Sequence, residues 1–170
     1  RIQAAAREGQ WEPAGAGWVE GDTNMASGEI LARHCLLTDA YYREKLGRRS
    51  KVAWLPDNFG HAWTVPSILS DAGYRYFYFC RAGKGTPLFW WEGPDGARLL
   101  AYQEGWYNSK ITDELATLPL GIEARAGLPA AMVVYGVGDH GGGPTRQDIE
   151  TARTLQEDPL FPNVHFSTAG

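Results

Sequence analysis

Three sets of acids in this chain each follow a short apolar run: Glu20 with Asp22, Asp57, and Asp139. A pair of carboxylates facing a sugar is what glycosidic cleavage needs. One attacks or assists at the anomeric carbon, and the other protonates the leaving oxygen. The stretch Val52–His61 (Val-Ala-Trp-Leu-Pro-Asp-Asn-Phe-Gly-His) is the sharpest of the three. Its first half has the apolar content of a buried strand. Pro56 ends that run because it has no N–H to give to a sheet ladder. Asp57 then falls just past the strand end, where α/β enzymes place reactive groups. A lone Asp in such a place more often serves a turn or caps a helix. The functional reading of Asp57 therefore depends on its company.

Asp139 stands in the run Gly138-Asp139-His140-Gly141-Gly142-Gly143-Pro144, between an apolar stretch and a capped helix. The run lacks the Lys and Ser/Thr of a phosphate-binding loop, which speaks against phosphate. It can be a flexible turn. The favoured reading is that its glycines let backbone approach a bound substrate while Asp139 and His140 point into the site. Trp106, Tyr107 and Asn108, with Trp90 and Trp91, suit the faces and hydroxyls of a sugar. Large rings are mostly buried, so the core is the plainer place for Trp90 and Trp91. The four histidines, His34, His61, His140 and His165, form no His-x-x-x-His pair, and spacing alone gives no metal site. His34 and His165 read as core or boundary residues. His61 reads as a partner behind Asp57 or a helix-start residue.

Elements must begin and end where these residues lie. Arg1–Gly9 reads as the end of a helix, and Trp11–Val19 as a strand weakened by Pro13, leading into the polar loop Glu20–Asn24. Ser27 can cap a helix that Gly47 stops. Ile30, His34, Leu37 and Tyr41 share one face of it, with Leu31, Cys35, Tyr42 and Leu46 beside them. Thr64 is placed to cap a helix with Val65 and Pro66 in its first turn, ending at Gly73. Tyr74–Cys80 is a strand by aromatic content. Gly93-Pro94-Asp95-Gly96 between Leu88–Glu92 and Ala97–Tyr102 predicts a hairpin. Thr112–Ala126 reads as helical in parts, interrupted at Pro119 and stopped at Gly127. Ala131–Tyr135 reads as a buried strand, and Thr145 with Asp148 as a near capping box for a helix whose apolar side is Ile149, Ala152 and Leu155. Val164–Phe166 can begin another strand. Strands alternating with helices, without internal repeat, predict an α/β fold with a mostly parallel sheet and flanking helices. The strand-end loops of such a sheet share one edge, so acids far apart in sequence can converge.

At 170 residues the chain is expected to form one domain, and 44% hydrophobic content is enough for a core. A net charge of −4 without a block of like charge predicts neither nucleic acid nor a membrane surface as partner. No apolar run approaches the roughly 18 residues of a membrane helix. Cys35 and Cys80 have neither disulfide-type nor metal-type spacing, which points to thiols in a reducing, cytoplasmic compartment. A start at Arg1 rather than Met suggests a piece excised from a longer protein.

Several marks occur in a telling order: Gly17-Trp18-Val19-Glu20 with Asp22 and Asn24; Ser27-Gly28-Glu29; Trp54-Leu55-Pro56-Asp57 with Phe59-Gly60; Trp91-Glu92-Gly93 with Asp95-Gly96; Tyr107-Asn108; and Gly136–Thr145. Together they resemble glycoside hydrolase family 38, the zinc-dependent retaining α-mannosidases, and most of all the bacterial and cytosolic types. The resemblance covers nearly the whole chain. It implies that residues 1–170 are part of a catalytic domain missing both flanks, an incomplete (β/α) barrel-like domain of seven strands. It implies hydrolysis of terminal α-mannosyl residues from mannose-containing oligosaccharides. By this resemblance Asp57 matches the nucleophile and a zinc ligand, and Asp139 the region of the general acid/base, with carboxylates about 5–5.5 Å apart in the assembled site. Asp22, Trp106, Tyr107, Asn108 and His140 are the expected substrate-binding residues. The family's other zinc ligands fall outside this chain, so the segment alone is expected to bind zinc poorly and to be little active. The full-length protein is open to homo-oligomer formation. A metal-dependent polysaccharide deacetylase and a non-catalytic carbohydrate-binding module are the competing readings.

Overall fold

In the computed structural model, residues 1–103, 105–138 and 141–170 are described. Asp139 and His140, two of the expected site residues, lie outside them. The chain divides into two compact units, residues 1–84, 88–103 and 168–170 in the first and residues 85–87 and 104–167 in the second.

The first unit holds helices α1 (Ile2–Arg7), α2 (Gly28–Leu46) and α3 (Val65–Asp71), and strands β1 (Val52–Trp54), β2 (Tyr76–Tyr78), β3 (Leu88–Glu92) and β4 (Arg98–Tyr102). The strands form one sheet in the order β1-β2-β4-β3. β1–β2 and β2–β4 pair in parallel, and β3–β4 is antiparallel. The α/β class holds, and the sheet is mixed because the Gly93–Gly96 turn folds β3 back on β4. Gly96 takes φ +84°, a left-handed value that glycine adopts at little cost. Asp95 Oδ1 accepts from Ala97 N at 3.1 Å and Ser67 Oγ at 2.6 Å, pinning the turn to α3.

α2 begins where Ser27 Oγ accepts from Ile30 N, and Gly47 closes it at φ +67°. Its inward row is Leu31, Cys35 and Thr38, whereas Ile30, Leu37 and Tyr41 are exposed. Ala53, Phe77, Ala101 and Phe89, aligned across the sheet, pack with Leu55, Leu99, Val65, Leu69 and Cys35 into the core. The opposite face carries an aromatic row, with Trp54 stacked on Tyr78 at 4.0 Å between centroids and Tyr78 on Tyr102 at 6.4 Å. Trp91 joins the core cluster, but Trp90 is 64% exposed.

Some expected elements take other forms. Trp11–Val19 is not a strand: Pro13 has no donor, and one bond, from Gly15 N to Val52 O at 3.0 Å, ties the segment to the edge of β1. Thr64 makes no side-chain cap, because its backbone is already helical. In the second unit Pro119 lies in the first turn of α4 (Leu118–Ala126), after a 3-10 helix at Asp113–Thr117, so it starts a helix rather than interrupting one. α5 (Arg146–Glu157) has the full capping box of Thr145 with Asp148. Ala131–Tyr135 and Val164–Phe166 are not strands. Among the described residues the former makes a single β-bridge, Tyr135 to Ser109, too little pairing to make a ladder. No helix among the described residues is long and apolar enough to cross a membrane.

Candidate active site

β1 delivers Asp57. The parallel ladder continues past the strand through Leu55 N to Tyr78 O at 3.0 Å and Cys80 N to Pro56 O at 3.1 Å, and then stops. The next N–H is that of Asp57, and Glu20 Oε1 accepts it at 2.9 Å. Two further clasps join the same pair of loops. Asn58 Nδ2 donates to Gly21 O at 2.6 Å, and Thr23 Oγ1 donates to Gly60 O at 3.3 Å.

Thr23 also fixes His61, 3.0 Å from its Nδ1. Which of the two donates there follows the tautomer of the ring. Nε2 is buried, with no hydrogen-bond partner among the described residues. Phe77, Phe79 and Trp91 surround the ring at centroid distances of 4.9, 5.5 and 5.7 Å. Burial pushes the imidazole down to about 4, against the opposing pull of the Asp22 charge. His61 is thus neutral at neutral pH, a brace behind the Asp57 loop rather than a proton donor.

The Asp57 carboxylate meets Arg81, whose Nε lies 2.5 Å from Oδ1. The same guanidinium sits 4.5 Å above the Phe59 ring, which is itself 82% exposed. Ala82 follows in a left-handed conformation, φ +61°, rare for a residue with a Cβ. A cavity of about 230 Å³ opens among Glu20, Gly21, Asp22, Asp57, Asn58 and Phe59. Asp22 shares this cavity, but its Oδ1 is engaged by Asn24 N at 2.7 Å and Met25 N at 3.3 Å in a turn. Asn58 Oδ1 is buried with no hydrogen-bond partner among the described residues. The arrangement offers a carboxylate oriented from two sides, a cation against it, an apolar ring beside it and amide and carboxylate acceptors around it.

In the second unit, Trp106 is 61% exposed, and Tyr107 and Asn108 are half-buried. Val137 and Gly143 exchange N–H···O bonds of 2.8 and 2.9 Å. Some of the glycines nearby have no room for a Cβ. A Cβ on Gly136 would stand 2.7 Å from the Gly143 carbonyl carbon, and one on Gly138 would stand 2.5 Å from Asn108 Cβ.

Sequence reasoning missed Arg81 as a site residue, although the signal existed. The register that sets Val52 against Tyr76 and Trp54 against Tyr78, continued past the strand ends, brings Arg81 opposite Asp57. It saw Glu20 as a loop acid without giving it a partner. Among the described residues no group of three or more His, Cys, Asp or Glu could hold a metal. The zinc centre implied by the resemblance is therefore not built by these residues alone.

Acids carried at the ends of parallel strands on an α/β scaffold are the layout of an enzyme site. The model of the glycosyl hydrolases family 38 N-terminal domain matches residues 1–170, and the chain belongs to that family. It is 29% identical over 177 residues to Alpha-mannosidase 2C1 of Homo sapiens, covering 99% of this chain and 17% of that protein's length. It thus spans about a sixth of that relative. Among solved structures, an alpha-mannosidase from Enterococcus faecalis V583 superposes with a TM-score of 0.76 at 23% identity, over 98% of this chain and 20% of the other. A putative polysaccharide deacetylase from Mycobacterium smegmatis shares the fold more distantly, with a TM-score of 0.52 at 17% identity over 90% of this chain and 46% of the other.

Proposed function

We propose that this chain carries the nucleophile-bearing part of a retaining α-mannosidase that removes terminal α-mannosyl residues from oligosaccharides or glycans. The observation that carries the reading is Asp57 at the end of the β1 ladder, held by Glu20 and paired with Arg81 at the mouth of an acid-lined cavity. Family membership and the names of its relatives support it. In the proposed reaction the Asp57 carboxylate attacks the anomeric carbon. The C–O bond to the aglycone breaks, and that oxygen takes a proton from the general acid, assigned to Asp139. Water, deprotonated by the same residue, then attacks the glycosyl ester, releasing mannose with retained configuration and restoring the Asp57 carboxylate. Arg81, paired with the Asp57 carboxylate, orients it before attack. Phe59 offers an apolar face to the ring, as do Trp106 and Tyr107, while Asp22, Asn108 and His140 bind its hydroxyls.

The four-stranded sheet is read as an arc of a seven-stranded barrel, and residues 1–170 as part of one catalytic domain. Zinc would take Asp57 as one ligand, with the others contributed by polypeptide beyond this chain, and would supply Lewis acidity toward the sugar's oxygens. The location is proposed to be cytoplasmic, in keeping with the free Cys35 and Cys80. The test is trapping of the intact protein with a fluorinated mannosyl fluoride, followed by peptide mass spectrometry. A mannosyl adduct on Asp57 is expected, and an adduct on another acid would refute the assignment. A folded, zinc-loaded protein that gives no adduct and no turnover would return the chain to the binding-module reading.

A further inference from the structure

We infer that Glu20 is a positioning residue for Asp57. Its carboxylate, by accepting the Asp57 N–H, sets the orientation from which the nucleophile attacks. The inference rests on the mannosidase reading above. Pro56, with no N–H, leaves Asp57 as the first donor beyond the β1–β2 ladder. Glu20 Oε1 accepts that N–H at 2.9 Å, from the loop that begins where the Trp11–Val19 segment ends. A bond to an ionised acceptor is roughly twice as strong as a neutral one. It acts on the backbone of the residue whose side chain must reach the anomeric carbon.

The two loops do not depend on Glu20 to stay together. Asn58 Nδ2 to Gly21 O, Thr23 Oγ1 to Gly60 O and the Thr23–His61 contact all cross between them independently. The specific contribution of Glu20 is therefore to Asp57 itself, and it comes with a like charge. Glu20, Asp22 and Asp57 all line the same 230 Å³ cavity. Arg81, paired with the Asp57 carboxylate, offsets part of that charge. Asp57 is thus held through its backbone by an acid and through its side chain by a base.

The two properties of Glu20, an acceptor at the right reach and a negative charge, separate cleanly by substitution. Glu20→Gln keeps a carbonyl acceptor at the same distance and loses the charge. Glu20→Asp keeps the charge but falls about 1.5 Å short, one C–C bond. The experiment measures turnover of 4-nitrophenyl α-mannoside by the intact protein, together with the rate at which a fluorinated mannosyl fluoride labels the Asp57 peptide. A misplacement near 1 Å can cost about a hundredfold in rate. Glu20→Asp and Glu20→Ala are accordingly expected to lose about a hundredfold in kcat and in labelling rate, with KM within about threefold. Glu20→Gln is expected to lose no more than about tenfold. Melting temperatures should stay within a few degrees of one another, because the other clasps remain.

Glu20→Asp turning over like the wild type, or Glu20→Gln as slow as Glu20→Ala, would overturn the inference in favour of a charge effect. So would a loss confined to KM, which would mean that Glu20 touches the substrate instead. Both substitutions are mild, so the comparison of Asp with Gln stands even where Ala fails to fold. A folded wild type that neither turns over nor labels overturns the mannosidase reading and the inference with it. An active wild type with equal variants overturns the inference alone.

Discussion

Acid should loosen the brace behind Asp57 before it touches the rest of the first unit. The His61 ring is neutral in the fold and lies among Phe77, Phe79 and Trp91. Burial pushes it from an ordinary 6.5 down to about 4. The folded state therefore holds fewer protons than the unfolded state in this range, and stability rises with pH there. The contribution of His61 is fully present above about 6.5 and is lost as pH falls through about 4. At about 1.4 kcal/mol for each tenfold change in proton affinity, the full displacement is about 3.4 kcal/mol. The ring is only half-buried, and solvent screening brings the expectation to about 2 kcal/mol. The assay is urea unfolding of the intact protein at pH 7, 6, 5 and 4, beside His61→Phe, which keeps a ring in the pocket and cannot charge. The wild type should lose about 2 kcal/mol more than His61→Phe over that range. Parallel curves for the two proteins would refute the argument, as would an NMR titration placing the His61 midpoint near 6.5.

Leu99→Ala, at a fully buried position of β4, should cost about 3 kcal/mol in urea unfolding, and a loss under about 1 would mean that the core collapses around the gap. Thr145→Ala removes the capping box of α5 and should cost about 1 kcal/mol. Hydrogen exchange should show it as faster exchange confined to the first turn, and Thr145→Ser should restore protection. Arg81→Met removes a part-exposed ion pair, so stability should move by no more than about 1 kcal/mol while turnover falls more than about tenfold. The reverse pattern would make Arg81 a structural residue. Zinc added to the 170-residue chain alone should bind more weakly than about 1 µM by calorimetry, since one carboxylate makes no site. Stoichiometric nanomolar binding would contradict this.

What the sequence made legible follows from local chemistry. Ser27 and Gly47 bound α2, Pro-Asp-Gly made the β3–β4 turn, and Thr145 with Asp148 capped α5, because each acts on its own neighbours. The failures are places where distant chain decides. Ala131–Tyr135 has strand composition, but a strand needs a ladder along its length, and among the described residues it makes one bridge, to Ser109. Ile30, Leu37 and Tyr41 have helical spacing as regular as that of the inward row, and periodicity does not say which row turns inward. Asp57 was readable from its position past an apolar run ended by proline. Arg81 and Glu20 became its partners only through strand register and loop crossing, which no single stretch encodes.

The stack of Trp54 on Tyr78, with Tyr102 beyond, gives the first unit a built-in optical gauge. Two transition dipoles held face to face at 4.0 Å couple, and such coupling appears in circular dichroism as a paired band of opposite signs. The rings face each other only while β1 and β2 keep the alignment of Trp54 with Tyr78. A slip of one residue would send the rings to opposite sides of the sheet and extinguish the band. The same alignment sets Arg81 against Asp57. The spectrum therefore reports, without any added label, whether the chain still holds its charged pair in place.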